Sequence, residues 1–203
     1  RSTDCQVVVM VLTACKSRKL KTWKMNNNLI TDALNESKDN VKYLSTLDKY
    51  IEPLYTATPL DVIESLSALL NKLRMMHAIA RYSATPDRMT TLFVKITEQM
   101  IVNCRHWVTE QGNLWEQDTT SLLTSLQTCY DLFSHYRTSY ESTRDRLRES
   151  PSAKQFEFGE NLIFSKSNLF QRRVEKLIDL FTTVDQFSNL AKHDLEGMEG
   201  LMA

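Results

Sequence analysis

The residues of this 203-residue chain that come nearest to a known chemical motif lie between Gly159 and Ser167, where a glycine is followed after five residues by Ser165-Lys166-Ser167. A phosphate loop requires G-x-x-x-x-G-K-[ST], because backbone amides must wrap the phosphates while the lysine reaches in from the following helix. Here the spacing is one residue too long, the second glycine is missing, and no Gly-Lys dipeptide occurs anywhere. No β-rich segment precedes Gly159 to deliver such a loop. The stretch reads instead as the start of a helix, with Ser165 or Ser167 as N-cap.

Other reactive side chains are scattered. His77, His106, His135 and His193 each stand alone, with no second histidine four residues on and no H-E-x-x-H pattern, so no metal-ligand set is offered. Cys5, Cys15, Cys104 and Cys129 form no Cys-x-x-Cys pair and fall on apolar stripes, where a free thiol acts as a small hydrophobe. The serines and threonines include no G-x-S-x-G elbow. No catalytic, cofactor-binding or metal-ligating residue is assigned. Charge clusters at one place, Lys16, Arg18, Lys19, Lys21 and Lys24, beside Trp23. Such a cluster could serve an acidic partner such as tubulin or RNA, but cations spread over nine residues of a helix point in several directions, which better suits a solvated face. Trp107 and Trp115 flank a loop at Gly112 and read as packing at the end of a bundle.

The elements that must position these groups are helices. Four glycines and four prolines leave little material for the turns of a strand-rich fold. Lysine plus arginine and aspartate plus glutamate both number 25, so no bulk field attracts nucleic acid or an anionic membrane. The longest apolar run, Val7 to Leu12, is far short of the roughly 20 residues of a membrane span. Unpaired cysteines point to a reducing, intracellular setting, and a start at Arg1 suggests a piece of a longer polypeptide.

Thr58-Pro59-Leu60-Asp61 has the order of a helix start, N-cap then proline then acid, and Thr85-Pro86-Asp87 repeats it. Apolar residues recur at 3-4 spacing over Ile63, Leu66, Leu70 and Leu73, continued by His77 and Ala80 and widened by Val62, Leu69 and Met76. The same spacing runs from Met89 through Leu92, Phe93, Ile96, Met100 and Cys104 to Trp107. It returns at Leu122, Leu126, Cys129, Phe133, Tyr136 and Tyr140, and at Phe170, Val174, Leu177, Ile178, Phe181 and Val184. The third of these helices should end ahead of Ser150-Pro151. Upstream, Val8, Leu12 and Cys15, then Ile30, Ala33 and Leu34, then Val41, Leu44, Leu47 and Ile51 suggest one or two more helices ending near Pro53. The run Val7-Val8-Val9 also suits a strand, but no turn closes it and the helical period continues. The expected fold is all-α, an elongated bundle or rod of five to six long helices. Its expected divisions are N-terminal helices over 1–57, a central three-helix segment over 58–150, and an aromatic connector with a following helix over 151–203.

Three blocks carry a resemblance: "DNVKYLSTLDKYIEPLY" (39–55), "LLNKLRMMHAIARYSATPDRMTTLFVKITEQMIVNCR" (69–105) and "AKQFEFGENLIFSKSNLFQRRVEKLIDLFTT" (153–183). Together they resemble the N-terminal tail, or stem, of dynein heavy chains, most nearly the axonemal outer-arm type. The family features fall on Asp39 to Leu44, on Tyr82, Thr85, Arg88 and Met89, and on Phe156, Phe158, Glu160, Ile163, Phe164, Lys166, Arg172, Arg173, Lys176, Ile178 and Asp179. Gly159, Ser165 and Ser167 depart from it, standing where the family usually has serine, glycine and an aromatic.

The resemblance implies a non-catalytic stem segment that links an ATP-driven microtubule motor, whose AAA+ ring lies elsewhere, to other subunits and to axonemal cargo. The implied partners are other dynein heavy chains, intermediate chains and light chains, with docking factors or the doublet microtubule reached indirectly. No cofactor, nucleic acid or membrane is expected, and the implied location is the cytoskeleton of a ciliary or flagellar axoneme. Phe156, Phe158, Phe164 and Phe170 are then expected to anchor a connector onto the bundle before the Arg172-Arg173 helix begins. The residues themselves leave open an unrelated helical scaffold or tether, or a helical ligand-binding enzyme domain.

Overall fold

A computed structural model of the chain describes residues 2–110, 112–150 and 154–191. His193 lies outside them. The described residues are helical, with no strand, and six long helices make a bundle. Helix α1 is Ser2–Ala14 and α2 is Leu20–Leu44; two single-turn helices, α3 (Asp48–Ile51) and α4 (Pro53–Thr56), follow. The four that build the core are α5 (Pro59–Ile79), α6 (Pro86–Thr109), α7 (Thr119–Arg148) and α8 (Glu160–Ala191).

The helix starts follow local chemistry. Thr58 Oγ1 accepts the Asp61 amide at 3.3 Å and donates to the Asp61 carboxylate at 2.7 Å, so cap and first-turn acid satisfy each other ahead of Pro59. Thr85 Oγ1 accepts the Arg88 amide in the same way, and Asp118 caps α7 through the Ser121 amide. Lys16 stops α1 in a left-handed conformation, φ 48°, with the Ser17 amide donating back to the Leu12 carbonyl. Gly112, φ 100°, takes the corresponding turn between α6 and α7, where a side chain would be strained.

One core runs through all the packed helices, from Leu47 and Leu54 to Val174 and Phe181. The stripes foreseen on α5, α6 and α7 are its centre: Leu66, Leu70, Leu73, Phe93, Met100, Cys104, Leu126, Cys129 and Tyr140 are all buried. Helix α8 lies against both α6 and α7, and α5 against α7.

The N-terminal region departs from expectation. The segment Val7-Val8-Val9 is helical, within α1, but the stripe on α2 is not covered: α2 buries no residue, and Ile30, Leu34, Val41 and Leu44 are exposed. Cys15 is exposed as well. The reason is positional. Only the C-terminal end of α2 reaches the body, where Asp39 Oδ2 accepts the Arg81 and Tyr82 amides at 3.1 and 3.0 Å, Glu36 pairs with Arg88 at 2.5 Å, and Tyr43 packs against the core.

Candidate functional site

Ahead of α8, residues 154–159 form a non-helical connector whose aromatic side chains pack into the core. Phe156 is 1% exposed, with its ring centroid 4.8 Å from that of Phe158, 5.7 Å from Tyr140 and 5.8 Å from both Phe93 and His77. Most of these pairs meet edge to face, the arrangement the ring quadrupole favours. Phe158 is half-buried and sits 5.1 Å from His77 and 5.5 Å from Phe93. Phe164 is buried against Tyr136 and Tyr140, with the Arg137 guanidinium 4.6 Å above its ring, and Phe170 meets Phe133 at 5.2 Å. Burial pushes the phenols of Tyr136 and Tyr140 up, so both are neutral hydroxyls.

The four phenylalanines do not share one element. Phe156 and Phe158 lie on the connector, whereas α8 begins at Glu160, so Phe164 and Phe170 belong to the helix. A helix starting near Arg172 with Phe164 and Phe170 ahead of it is therefore a misplacement by about three turns. Ser165 and Ser167 are not N-caps either. Both sit inside α8, their hydroxyls donating to the Leu162 and Phe164 carbonyls at 3.1 and 3.0 Å. The overlooked signals were an acid at Glu160 and the 3-4 series Ile163, Ser167, Phe170 and Val174.

Polar contacts that the sequence did not reveal hold the connector on both sides. Lys154 Nζ donates to the carbonyls of His77 and Ala84 at 3.0 and 3.2 Å, tying the end of α5 to the turn before α6. The Gly159 amide donates to Thr90 Oγ1 at 3.1 Å, and a Cβ at Gly159 would stand 3.2 Å from Thr90 Cγ2. Arg148 pairs with Glu157 at 2.6 Å, and Arg144 with Glu160 at 2.5 Å. Burial, helped by the nearby Lys154 charge, lowers the pKa of His77 to about 4, so its ring is neutral in the aromatic cluster.

This arrangement has no phosphate-loop geometry. Lys166 projects from within α8 and pairs with Glu98 on α6, which carries it away from the helix N-terminus. Among the described residues no group of three or more His, Cys, Asp or Glu comes together that could hold a metal ion, and no helix is long and apolar enough to cross a membrane. Cys104 and Cys129 are both buried free thiols, the Cys129 Sγ lying 4.0 Å from the Cys104 carbonyl, and the mutual contact and burial push the Cys104 thiol up. His106 and His135 are at the surface. Trp115 is exposed, yet its ring stands 5.0 Å from that of Phe181 near the end of α8.

The basic residues fall elsewhere. Lys16, Arg18 and Lys19 occupy the turn between α1 and α2, and Lys21 and Lys24 the first turns of α2; all five are exposed. The connector and the basic turn are thus two separate features.

Residues 1–202 match the family described as dynein heavy chain, N-terminal region 1. The chain is 40% identical over 203 residues to the dynein gamma chain of the flagellar outer arm of Chlamydomonas reinhardtii, covering 100% of this chain. It is 38% identical over 201 residues to dynein axonemal heavy chain 8 of Mus musculus, and 38% over 203 residues to dynein axonemal heavy chain 5 of the same organism, covering 98% and 99% of this chain. The chain spans 4% of the length of each of these relatives.

Proposed function

Because the chain belongs to the dynein heavy chain family, as part of its N-terminal region 1, we propose that it is a non-catalytic length of a dynein tail that holds subunits of an axonemal motor together. The match of residues 1–202 to that region carries this reading. The relatives are flagellar outer-arm and axonemal chains, which supports an axonemal setting. Its partners are then other heavy chains, intermediate chains and light chains, with the doublet microtubule reached through them. The chemistry of movement, ATP hydrolysis in an AAA+ ring, belongs to other parts of the heavy chain.

The bundle suits transmission of force. Interdigitated side chains at crystal-like density resist deformation, and a load on α8 passes through Phe156, Phe158, Phe164 and Phe170 into α5, α6 and α7. In this reading residues 58–150 supply the stiff centre, 151–203 the aromatic connector and following helix, and 1–57 the N-terminal helices of the bundle, which join the core at Leu47 and Leu54. Lys16, Arg18, Lys19, Lys21 and Lys24 orient partners at the turn between α1 and α2.

Affinity recovery from an axonemal salt extract tests the reading. The tagged chain should enrich dynein heavy and intermediate chains, identified by mass spectrometry, over an unrelated helical bundle of similar size and charge. Enrichment of no dynein subunit by a correctly folded chain would overturn it.

A further inference from the structure

Helix α2 carries a 3-4 series like those of the core helices, but most of its length is left exposed by the described residues. Leu20, Trp23, Asn27, Ile30, Leu34, Ser37, Val41 and Leu44 are separated alternately by three and four residues over the whole helix. A mean of 3.5 residues suits packing along another helix, and the same spacing on α7, Leu122, Leu126, Cys129, Phe133, Tyr136 and Tyr140, is buried against α5 and α8. Leu20, Trp23 and Asn27 are half-buried at the end where α1 meets α2. Beyond them the seam is bare: Ile30 is 68% exposed and Val41 71%, with Leu34 and Leu44 near 40%. The groups that fasten α2 to the body, Glu36, Asp39 and Tyr43, lie about 150° around the helix from that seam. The body therefore cannot cover it by a small adjustment.

The charges beside the seam choose its occupant. On one flank stand Lys24, Thr31, Lys38 and Ser45, and on the other Lys19, Asn26, Ala33 and Asn40. Every charged flanking residue is a lysine. Asp32, Glu36 and Asp39 lie outside both flanks. A second copy packed in parallel would set Lys19 against Lys24, and one packed antiparallel would set Lys24 against Lys38, both like-charge pairs that disfavour self-association. Asn27 and Ser37 place two polar layers in the seam, which fix register at some expense of stability.

We propose that the α2 seam from Asn27 to Leu44 is a docking surface for one amphipathic helix of another dynein subunit, a helix with its own 3-4 apolar seam and with aspartate or glutamate opposite Lys24 and Lys38. This rests on the assembly role given above and names the surface and the chemistry of the partner. The bare stretch from Ile30 to Leu44 is about 21 Å long, room for four turns of partner helix.

Two measurements test it. Synthetic three-heptad helices with an isoleucine and leucine seam, one flanked by glutamate and one by lysine, are titrated against the 203-residue chain by fluorescence anisotropy. The glutamate peptide should bind saturably and at least tenfold more tightly than the lysine peptide; Val41→Asp should abolish its binding, and Lys24→Glu with Lys38→Glu should reverse the preference. Equal binding of the two peptides, or binding indifferent to Val41→Asp, would overturn the proposal. In the assembled dynein complex, a photoreactive residue at Val41 should cross-link to an acid-flanked helix of another subunit. A cross-link to the chain's own heavy chain or to a second copy, or none at all, overturns the seam assignment even where the chain still recovers dynein subunits. Failure to recover any dynein subunit tells instead against the assembly role itself.

Discussion

At the scale of single residues, the informative groups are buried and chemically quiet. His77 is neutral because its ring lies among Phe156, Phe158 and the Lys154 charge, and its pKa in the fold is about 4 against 6.5 in the open chain. The unfolded chain therefore binds the extra proton first. Stability is full above pH 6.5 and falls as the pH drops toward 4, by on the order of 3 kcal/mol in total. Urea midpoints measured between about pH 7 and 5.5, where most carboxylates stay ionised, should show the upper part of this slope, and His77→Leu should flatten it. The cysteines give a second residue-level expectation. With Cys15 exposed, Cys5 half-buried and Cys104 and Cys129 buried, a thiol reagent should label Cys15 first and Cys5 more slowly. The other two should react only on unfolding; early labelling of Cys104, read by mass spectrometry, would contradict the packing of α6 on α7.

At the scale of elements, the connector and α2 are opposites. Phe156 fills a site bounded by Phe93, Tyr140, His77 and Phe158, so Phe156→Ala should cost roughly 3 to 5 kcal/mol in chemical denaturation. Leu70→Ala on α5 should cost roughly 2 to 5 kcal/mol for the same reason. On the exposed seam of α2 the same operation removes little that is packed. Val41→Ala in the isolated chain should change stability by less than about 0.5 kcal/mol. The two apolar series look alike in sequence, since 3-4 spacing reports that a face wants cover and not where the cover comes from. The start of α8 is obscured in the sequence for a related reason: four phenylalanines in fifteen residues suit a single connector, although the helical period already runs from Ile163.

At the scale of the whole molecule, equal numbers of cationic and anionic residues leave no long-range field. Direct affinity of the chain for microtubules should therefore be weak at physiological salt, and changing Lys16, Arg18, Lys19, Lys21 and Lys24 to glutamine should alter co-sedimentation little. Strong sedimentation lost in that variant would make the basic turn a lattice contact. Labelled ATP should not bind saturably, since Lys166 is committed to Glu98 across the α6–α8 contact and no glycine loop surrounds it. Saturable binding abolished by Lys166→Ala would contradict this.

The sequence by itself determined the helical class, the helix starts at Thr58 and Thr85, and the faces of α5, α6 and α7. Each depends on contacts within a few turns of one helix: a cap bonds its own amides, and a 3-4 series marks its own apolar side. Family membership was also legible, because several separated blocks keep their order. Tertiary structure alone decided where those faces meet. That Lys154 ties the end of α5 to the turn before α6, that Asp39 caps amides more than forty residues away, and that the α2 seam is left bare all depend on the packing of distant segments. No local pattern encodes such placement, since the free energy that fixes it arises only when those segments exclude water together.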